Sequence, residues 1–250
     1  MLKNFGLLGQ KLAHSFSKDF FKKKFLEENI SAQYSNFEID NLTKFKDIFK
    51  DQIISGLNVT IPYKNKVIQY LDSLDPISHE INAVNTILPF YKHNKLTHLK
   101  GYNTDVYGFH QMIKPYLKSH HERALVFGTG GASAAVAYVL KGYNIDINFI
   151  SRFANSNDRN IFTWDDVNEY MLDHHLLIIN TTPIGMFPNN DQKINIPFDS
   201  ISKHHLVIDL IYNPVETHFL KRAKKNNAQI LNGYSMLVNQ ALKAWEIWNT

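Results

Sequence analysis

No cysteine occurs anywhere in the 250 residues. That removes any disulfide framework and any thiolate metal site, and it suits a cytoplasmic chain. No apolar run reaches the length needed to span a bilayer, so no membrane partner is expected. The opening residues 1–10 carry neither the long apolar core nor the small-residue cleavage site of a secretory signal. No Gly-x-Ser-x-Gly elbow is present, which disfavours a serine hydrolase. Twelve histidines occur, among them the pairs His120-His121, His174-His175 and His204-His205. None has the i, i+4 spacing around a glutamate that a zinc hydrolase uses, so no metal is expected. Short-period repeats and low-complexity segments are lacking as well.

Neither charge sign dominates: 27 basic residues face 23 acidic ones, for a formal charge of +4. The clusters Lys22-Lys23-Lys24 and Lys221-Arg222-Lys224-Lys225 each fall within a helical pattern and read as solvated helix faces. Nucleic acid would want a longer basic stripe or a recognisable module, and is not expected. A mild positive balance does suit an anionic small molecule. With 44% apolar and 20% charged residues, the composition is that of a globular protein of one large or two modest domains.

Two successive α/β alternations fill the chain. The first places strands over 5–8, 34–39, 53–61, 83–88 and 96–99, the last two joined through the polar turn Lys92-His93-Asn94-Lys95. Helices are expected over 17–29, after a cap at Asn41 or Thr43, beyond Lys64, and from Thr104 until Pro115. The polar run over 118–123 is the expected linker. The second alternation has strands over 124–127, 145–150, 176–179, 206–210 and 229–231, with a last helix over 236–248. Continuous apolar runs at 176–179 and 206–210 suit buried parallel strands. In the last helix Leu237, Ala241, Trp245 and Trp248 form one stripe, read as core.

The chemistry gathers at the ends of these strands. Residues 56–64, Gly-Leu-Asn-Val-Thr-Ile-Pro-Tyr-Lys, put Asn58 and Thr60 two apart on one strand face, with the amine of Lys64 just past Pro62. Ser15 and Ser17 follow the first strand, where either could cap the next helix or face a ligand. Asn85-Thr86 lies in a strand, and Asn103-Thr104-Asp105 at a strand-to-helix junction. A buried carboxylate beside a lysine makes a pair whose lysine can exchange a proton with a substrate oxygen.

The strand over 124–127 runs into Gly128-Thr129-Gly130-Gly131-Ala132-Ser133 and then an alanine-rich helix. Free backbone N–H groups and a helix dipole there suit a pyrophosphate, with Ser133 in place of a third glycine. NAD binders usually place an acid at the end of the following strand to hold the ribose. Here that strand ends in Ser151-Arg152, with no acid, and the arginine favours a 2′-phosphate and hence NADP(H).

Together these stretches resemble the shikimate dehydrogenase family over nearly the whole chain. The residues that carry the resemblance are His14-Ser15-x-Ser17, Asn58-Val59-Thr60-Ile61-Pro62-x-Lys64, Ala83-Val84-Asn85-Thr86, Gly101-x-Asn103-Thr104-Asp105, the glycine loop, Asn180-Thr181-Thr182-Pro183-x-Gly185-Met186, and Gly233-Tyr234-x-Met236-Leu237-Val238-x-Gln240. Lys18 departs from a proline usual in the family. Ser151-Arg152-Phe153 stands in place of its Asn-Arg-Thr.

The resemblance implies a two-domain α/β fold. Residues 1–103 with 234–250 would form a substrate domain with a mostly parallel sheet, and 104–233 a Rossmann-type NADP domain. The C-terminal helix would return to the first domain. It implies reversible NADPH-linked reduction of 3-dehydroshikimate to shikimate, with Lys64 and Asp105 as the catalytic pair. Ser15 and Ser17 would bind the substrate carboxylate, and Asn58, Thr60, Asn85, Asp105 and Gln240 its hydroxyls. Tyr212 would approach from the cofactor domain. Residues 128–133, Ser151, Arg152, Thr181 and Gly233 would serve the cofactor. The expected partner is a small molecule, with the protein a monomer or homodimer. Two other readings stay open: a quinate/shikimate dehydrogenase of broader substrate or NAD use, and a dinucleotide-binding sensor without turnover.

Overall fold

The computed structural model describes residues 2–12, 15–50, 52–153 and 159–250, so His14 of the first motif lies outside the described residues. The chain divides into two compact units, Met1–Tyr107 with Asn239–Thr250, and Gly108–Val238.

The first unit contains β1 (Lys3–Gly9), α1 (Phe16–Glu27), β2 (Ala32–Glu38), β3 (Ile54–Val59), β4 (Ser73–Leu74), α2 (Pro76–Ile81), β5 (Thr86–Lys92), β6 (Lys95–Tyr102) and the start of α3 (Asp105–Ile113). Its strands lie in the order β2-β1-β3-β5-β6-β4. β1 runs parallel to β2 and β3, and β4 parallel to β6, while β5 is antiparallel to both its neighbours. The β5–β6 hairpin turns through His93 and Asn94 at φ 50° and 61°. Two left-handed residues are what a two-residue hairpin turn needs to match strand twist.

β1 is buried on both faces. Phe5 and Leu7 join a cluster with Phe21, Phe25, Tyr34 and Trp248, whereas Leu8 joins Phe45, Ile54, Leu57, Val59 and Ile87. Side-chain alternation along a strand produces that division. On the first side the chain's last helix, α7 (Tyr234–Trp248), seats Trp248 against β3. A Cβ at Gly56 would fall within the Trp248 indole, whose N–H donates to the Ile87 carbonyl at 3.1 Å.

The second unit contains β7 (Arg123–Phe127), α4 (Gly131–Gly142), β8 (Asp146–Ser151), β9 (Ile161–Thr163), α5 (Glu169–His174), β10 (Leu177–Asn180), β11 (Leu206–Asp209), α6 (His218–Lys225) and β12 (Gln229–Asn232). The strands are all parallel, in the order β12-β11-β10-β7-β8-β9. Numbered from β7, that is the doubly wound order 3-2-1-4-5-6, with its switch point between β7 and β10. β10 and β11 are buried throughout, which is why they read as unbroken apolar runs.

Several expectations need correction. The polar run over 118–123 is no linker: His121 is 4% exposed and Arg123 already opens β7. Its turn is closed by the His121 N–H on the Lys118 carbonyl and the Lys118 N–H on His121 Nδ1. The division between the two units falls inside α3 and inside α7. Asn85 precedes β5 rather than lying within it. The helical patterns after Asn41 and after Lys64 form 3-10 helices, Leu42–Phe49 and Lys66–Tyr70. Neither β4 nor α2 was expected, although Asp75 caps α2 from just ahead of its first-turn proline.

Candidate active site

The first unit places most of the expected polar residues at the carboxyl end of β3 and the segments around it. Val59 N–H donates to the Asn85 carbonyl at 2.9 Å, Thr60 N–H to Leu8, and Val84 N–H to the Lys64 carbonyl at 2.8 Å. The strand-to-helix turn that carries Lys64 is thereby tied to the segment that carries Asn85. Asn103 does the same for Asp105. Its Nδ2 donates to the Ala83 carbonyl, and its Oδ1 accepts the N–H groups of Asp105 and Val106 at the start of α3. A side-chain oxygen satisfying first-turn N–H groups is a helix cap.

Lys64 Nζ then meets Asp105 Oδ2 at 2.7 Å, with the carboxylate side chain 2% exposed and the lysine side chain 17%. Withdrawal from water strengthens this pair, because the Coulomb energy scales inversely with the local dielectric.

Asn58, Asn85 and Gln240 are joined by hydrogen bonds. Tyr34 donates to Asn58 Oδ1 at 2.8 Å, and Asn58 Nδ2 donates to the Asn85 carbonyl and to Thr86 Oγ1, both at 3.2 Å. Asn85 Nδ2 donates to Gln240 Oε1 at 3.1 Å, which brings α7 into the set. Asn85 Oδ1 accepts the Thr104 N–H at 2.7 Å. Burial drives the Tyr34 hydroxyl well above its ordinary range, partly offset by a hydrogen bond with Ser17. Ser17 is therefore linked to the same network. Ser15 caps α1 by accepting the Lys18 N–H at 3.2 Å. Thr60 is half-buried two residues beyond Asn58.

The remaining expected residues lie in the second unit. Gly128 has φ +104°, and its N–H donates to Ile150 at 2.8 Å. A Cβ there would stand 2.7 Å from Thr181 Oγ1, which itself donates to the Phe127 carbonyl at 2.6 Å. The glycine loop and Thr181 thus share the switch point between β7 and β10. Gly130 precedes α4 with no side-chain cap, and a Cβ on it would meet nothing within 4 Å. An uncapped helix start under open space fits a pyrophosphate, with Thr129, Gly131 and Ala132 completing the loop. Ser133 turns inward: its hydroxyl donates to the Gly130 carbonyl at 2.6 Å, and the residue is 2% exposed. Ser151 ends β8, and Arg152 is exposed directly after it. Gly233 has a packing reason to lack a side chain, since a Cβ would overlap the Leu210 carbonyl. Tyr212 follows β11 and is half-buried.

Tyr34, Thr86 and Thr104 were not among the expected site residues. Thr86 and Thr104 at least sit within the two asparagine motifs. No sequence signal separates Tyr34 from the apolar core residues around it. Among the described residues, no group of three or more His, Asp or Glu is placed to hold a metal ion. Nor is any helix long and apolar enough to cross a membrane.

A doubly wound parallel sheet with a glycine loop at its switch point defines a dinucleotide-binding α/β protein. Comparison with known proteins narrows that class. Residues 7–87 match the family described as "Shikimate dehydrogenase substrate binding domain". A shikimate dehydrogenase (NADP(+)) of Clostridium beijerinckii is 40% identical over 255 residues, covering 98% of this chain and 91% of that protein. A chorismate mutase/shikimate 5-dehydrogenase fusion protein from Clostridium acetobutylicum has a TM-score of 0.84 at 35% identity, covering 100% of this chain and 91% of its own. A shikimate dehydrogenase solved in complex with NADP+ has a TM-score of 0.83 at 34% identity, covering 99% and 90%. The chain belongs to the shikimate dehydrogenase family.

Proposed function

We propose that this chain is an NADP-dependent shikimate dehydrogenase, interconverting 3-dehydroshikimate and shikimate in the route to the aromatic amino acids. The observation that carries the reading is the Lys64–Asp105 pair, 2.7 Å apart beside a buried amide network. Binding alone needs no such proton donor. When bound, a nicotinamide cofactor would provide the hydride for the carbonyl carbon and, in the reverse direction, would take it from the carbinol carbon. Lys64 offsets the charge that grows on the carbonyl oxygen, then protonates it. Asp105 holds the ammonium in place with one oxygen and offers the other to a ring hydroxyl. Ser15 and Ser17 bind the substrate carboxylate, and Asn58, Thr60, Asn85 and Gln240 its hydroxyls. In the second unit the loop over 128–133 and Thr181 would hold the pyrophosphate side of the cofactor. Ser151 and Arg152 would hold its 2′-phosphate. The proposed setting is the cytoplasm, with the protein a monomer or homodimer.

The deciding assay follows nicotinamide reduction by the purified chain with shikimate and with quinate, each paired with NADP+ and NAD+. The expected result is fastest turnover with shikimate and NADP+. Turnover with no pairing would leave a dinucleotide-binding sensor as the better reading, and a preference for quinate would replace the substrate.

A further inference from the structure

Thr86 is fully buried, at 0% exposure, so it cannot touch a ligand. Its strand register explains where its hydroxyl goes. Thr86 at the start of β5 is the direct cross-strand partner of Asn58 on β3, which puts the two side chains on one face of the sheet. Its Oγ1 accepts from Asn58 Nδ2 at 3.2 Å and donates to Asn85 Oδ1 at 3.1 Å. A hydroxyl carries one donor and two acceptor positions, so one oxygen can serve an amide N–H on one side and an amide carbonyl on the other. Valine, of nearly the same shape, can do neither.

Backbone groups fix both amides in the same sense. The Asn85 carbonyl, which can only accept, faces Asn58 Nδ2, and the Thr104 N–H, which can only donate, faces Asn85 Oδ1. Asn58 therefore has both N–H donors engaged within the protein, and its Oδ1 already takes the Tyr34 hydroxyl. One acceptor position remains. Asn85 has the opposite remainder. Its Oδ1 is filled by Thr104 and Thr86, one N–H goes to Gln240, and one N–H is left.

We infer that Thr86 is a positioning residue that locks Asn58 and Asn85 as an acceptor-and-donor pair. Asn58 Oδ1 takes the hydrogen of one substrate hydroxyl, and Asn85 Nδ2 gives a hydrogen to the oxygen of another. The inference rests on the assignment of both asparagines to the substrate. It specifies which partner donates in each bond: a group that can only accept is rejected at Asn58 Oδ1, a group that can only donate is rejected at Asn85 Nδ2, and a hydroxyl suits either.

The test uses Thr86→Val and Thr86→Ser in the full chain, with KM and kcat measured for shikimate and for NADP+. Removing one buried hydrogen-bonding hydroxyl should raise the shikimate KM about tenfold in T86V. The NADP+ KM should stay within about twofold of the unmutated value, and T86S should recover the shikimate KM to within about threefold. A T86V variant with a lower Tm and an unchanged shikimate KM would show a merely structural threonine and overturn the inference. So would T86S being as impaired as T86V, which would assign the effect to the methyl group. Side-chain amide exchange in the unmutated protein gives a readout independent of turnover and of variant folding. The Asn58 NH2 protons should exchange slowly with solvent, and fast exchange would overturn the lock. Absence of turnover in the unmutated chain, with those protons still protected, would sink the proposed activity and leave the lock standing.

Discussion

Lys64 Nζ lies 2.7 Å from Asp105 Oδ2, and the carboxylate is almost wholly withdrawn from solvent while the lysine keeps an open side. A partner that is itself sealed holds the amine without competing water, and the open side is where a reacting oxygen can arrive. Lys64→Ala should therefore lose about 10²–10⁴ in kcat with the shikimate KM little changed, because the interaction removed strengthens in the transition state. Steady-state kinetics on a variant with an unchanged far-UV spectrum checks this. Near-normal turnover would remove Lys64 from the chemistry.

Arg152→Ala should weaken NADPH by about tenfold or more and leave NADH within about twofold, since a charge-assisted bond to a 2′-phosphate has no counterpart in NADH. Fluorescence titration with both nucleotides decides it. Equal small losses would place phosphate recognition elsewhere.

Gly56→Ala should destabilise the first unit by about 1–3 kcal/mol, the usual cost of overpacking a filled core. The added Cβ would enter the Trp248 ring, which the Phe5 ring stacks upon at 5.0 Å and the Ile87 carbonyl pins from its N–H. Denaturant melts of the variant, followed by tryptophan fluorescence, give the shift. An unchanged midpoint would mean that Trp248 yields freely.

Acid should loosen the second unit, beginning below about pH 6.5. His121 is buried beside His120, Lys118 and His205, and burial first, then these positive neighbours, lower it to about 4, although the His204 carbonyl favours its proton. His175 and His205 are lowered too, chiefly by burial. The unfolded chain binds these protons at ordinary histidine values, so the stabilisation is present above about pH 6.5 and is lost as pH falls through the folded values. Asp209 works in the opposite direction. Burial pushes it up to about 6 against the bonds from Thr217, Ile211 and Asn180, so its share grows as pH falls from about 6 to 3.8. The three histidines act together in one direction and the one carboxylate in the other. His121→Asn should remove about one proton from the difference in uptake between unfolded and folded states, flattening the Tm profile between pH 6.5 and 4. An unchanged slope would assign the acid sensitivity elsewhere.

The legible elements were those whose pattern is unbroken within a short stretch of sequence. The apolar runs of β10 and β11, the glycine loop and the stripe of α7 each stated their structure within one window of sequence. The two asparagine motifs and Lys64 were legible as chemistry for the same reason. Tyr34 was not. Its hydroxyl reaches Asn58 only because β2, β1 and β3 lie side by side in one register, and register is a property of pairs of segments. Ser133 and Gly233 read as cofactor residues, yet each has a structural duty in its own unit. Local pattern marked where they sit and could not separate a fold requirement from a ligand contact. The 118–123 run failed in the opposite way: polar composition suggested exposure, and the buried ring of His121 satisfies its polarity internally.

The seat of Trp248 over Gly56 also bears on the order in which the protein is made. The second unit is one continuous segment, Gly108–Val238, whereas the first needs Asn239–Thr250 to cover the Phe5 side of its sheet. Until that distant segment arrives, Phe5, Phe21 and Phe25 stay uncovered on that face of the first unit, and a chaperone that recognises apolar surface on nascent chains would find it there.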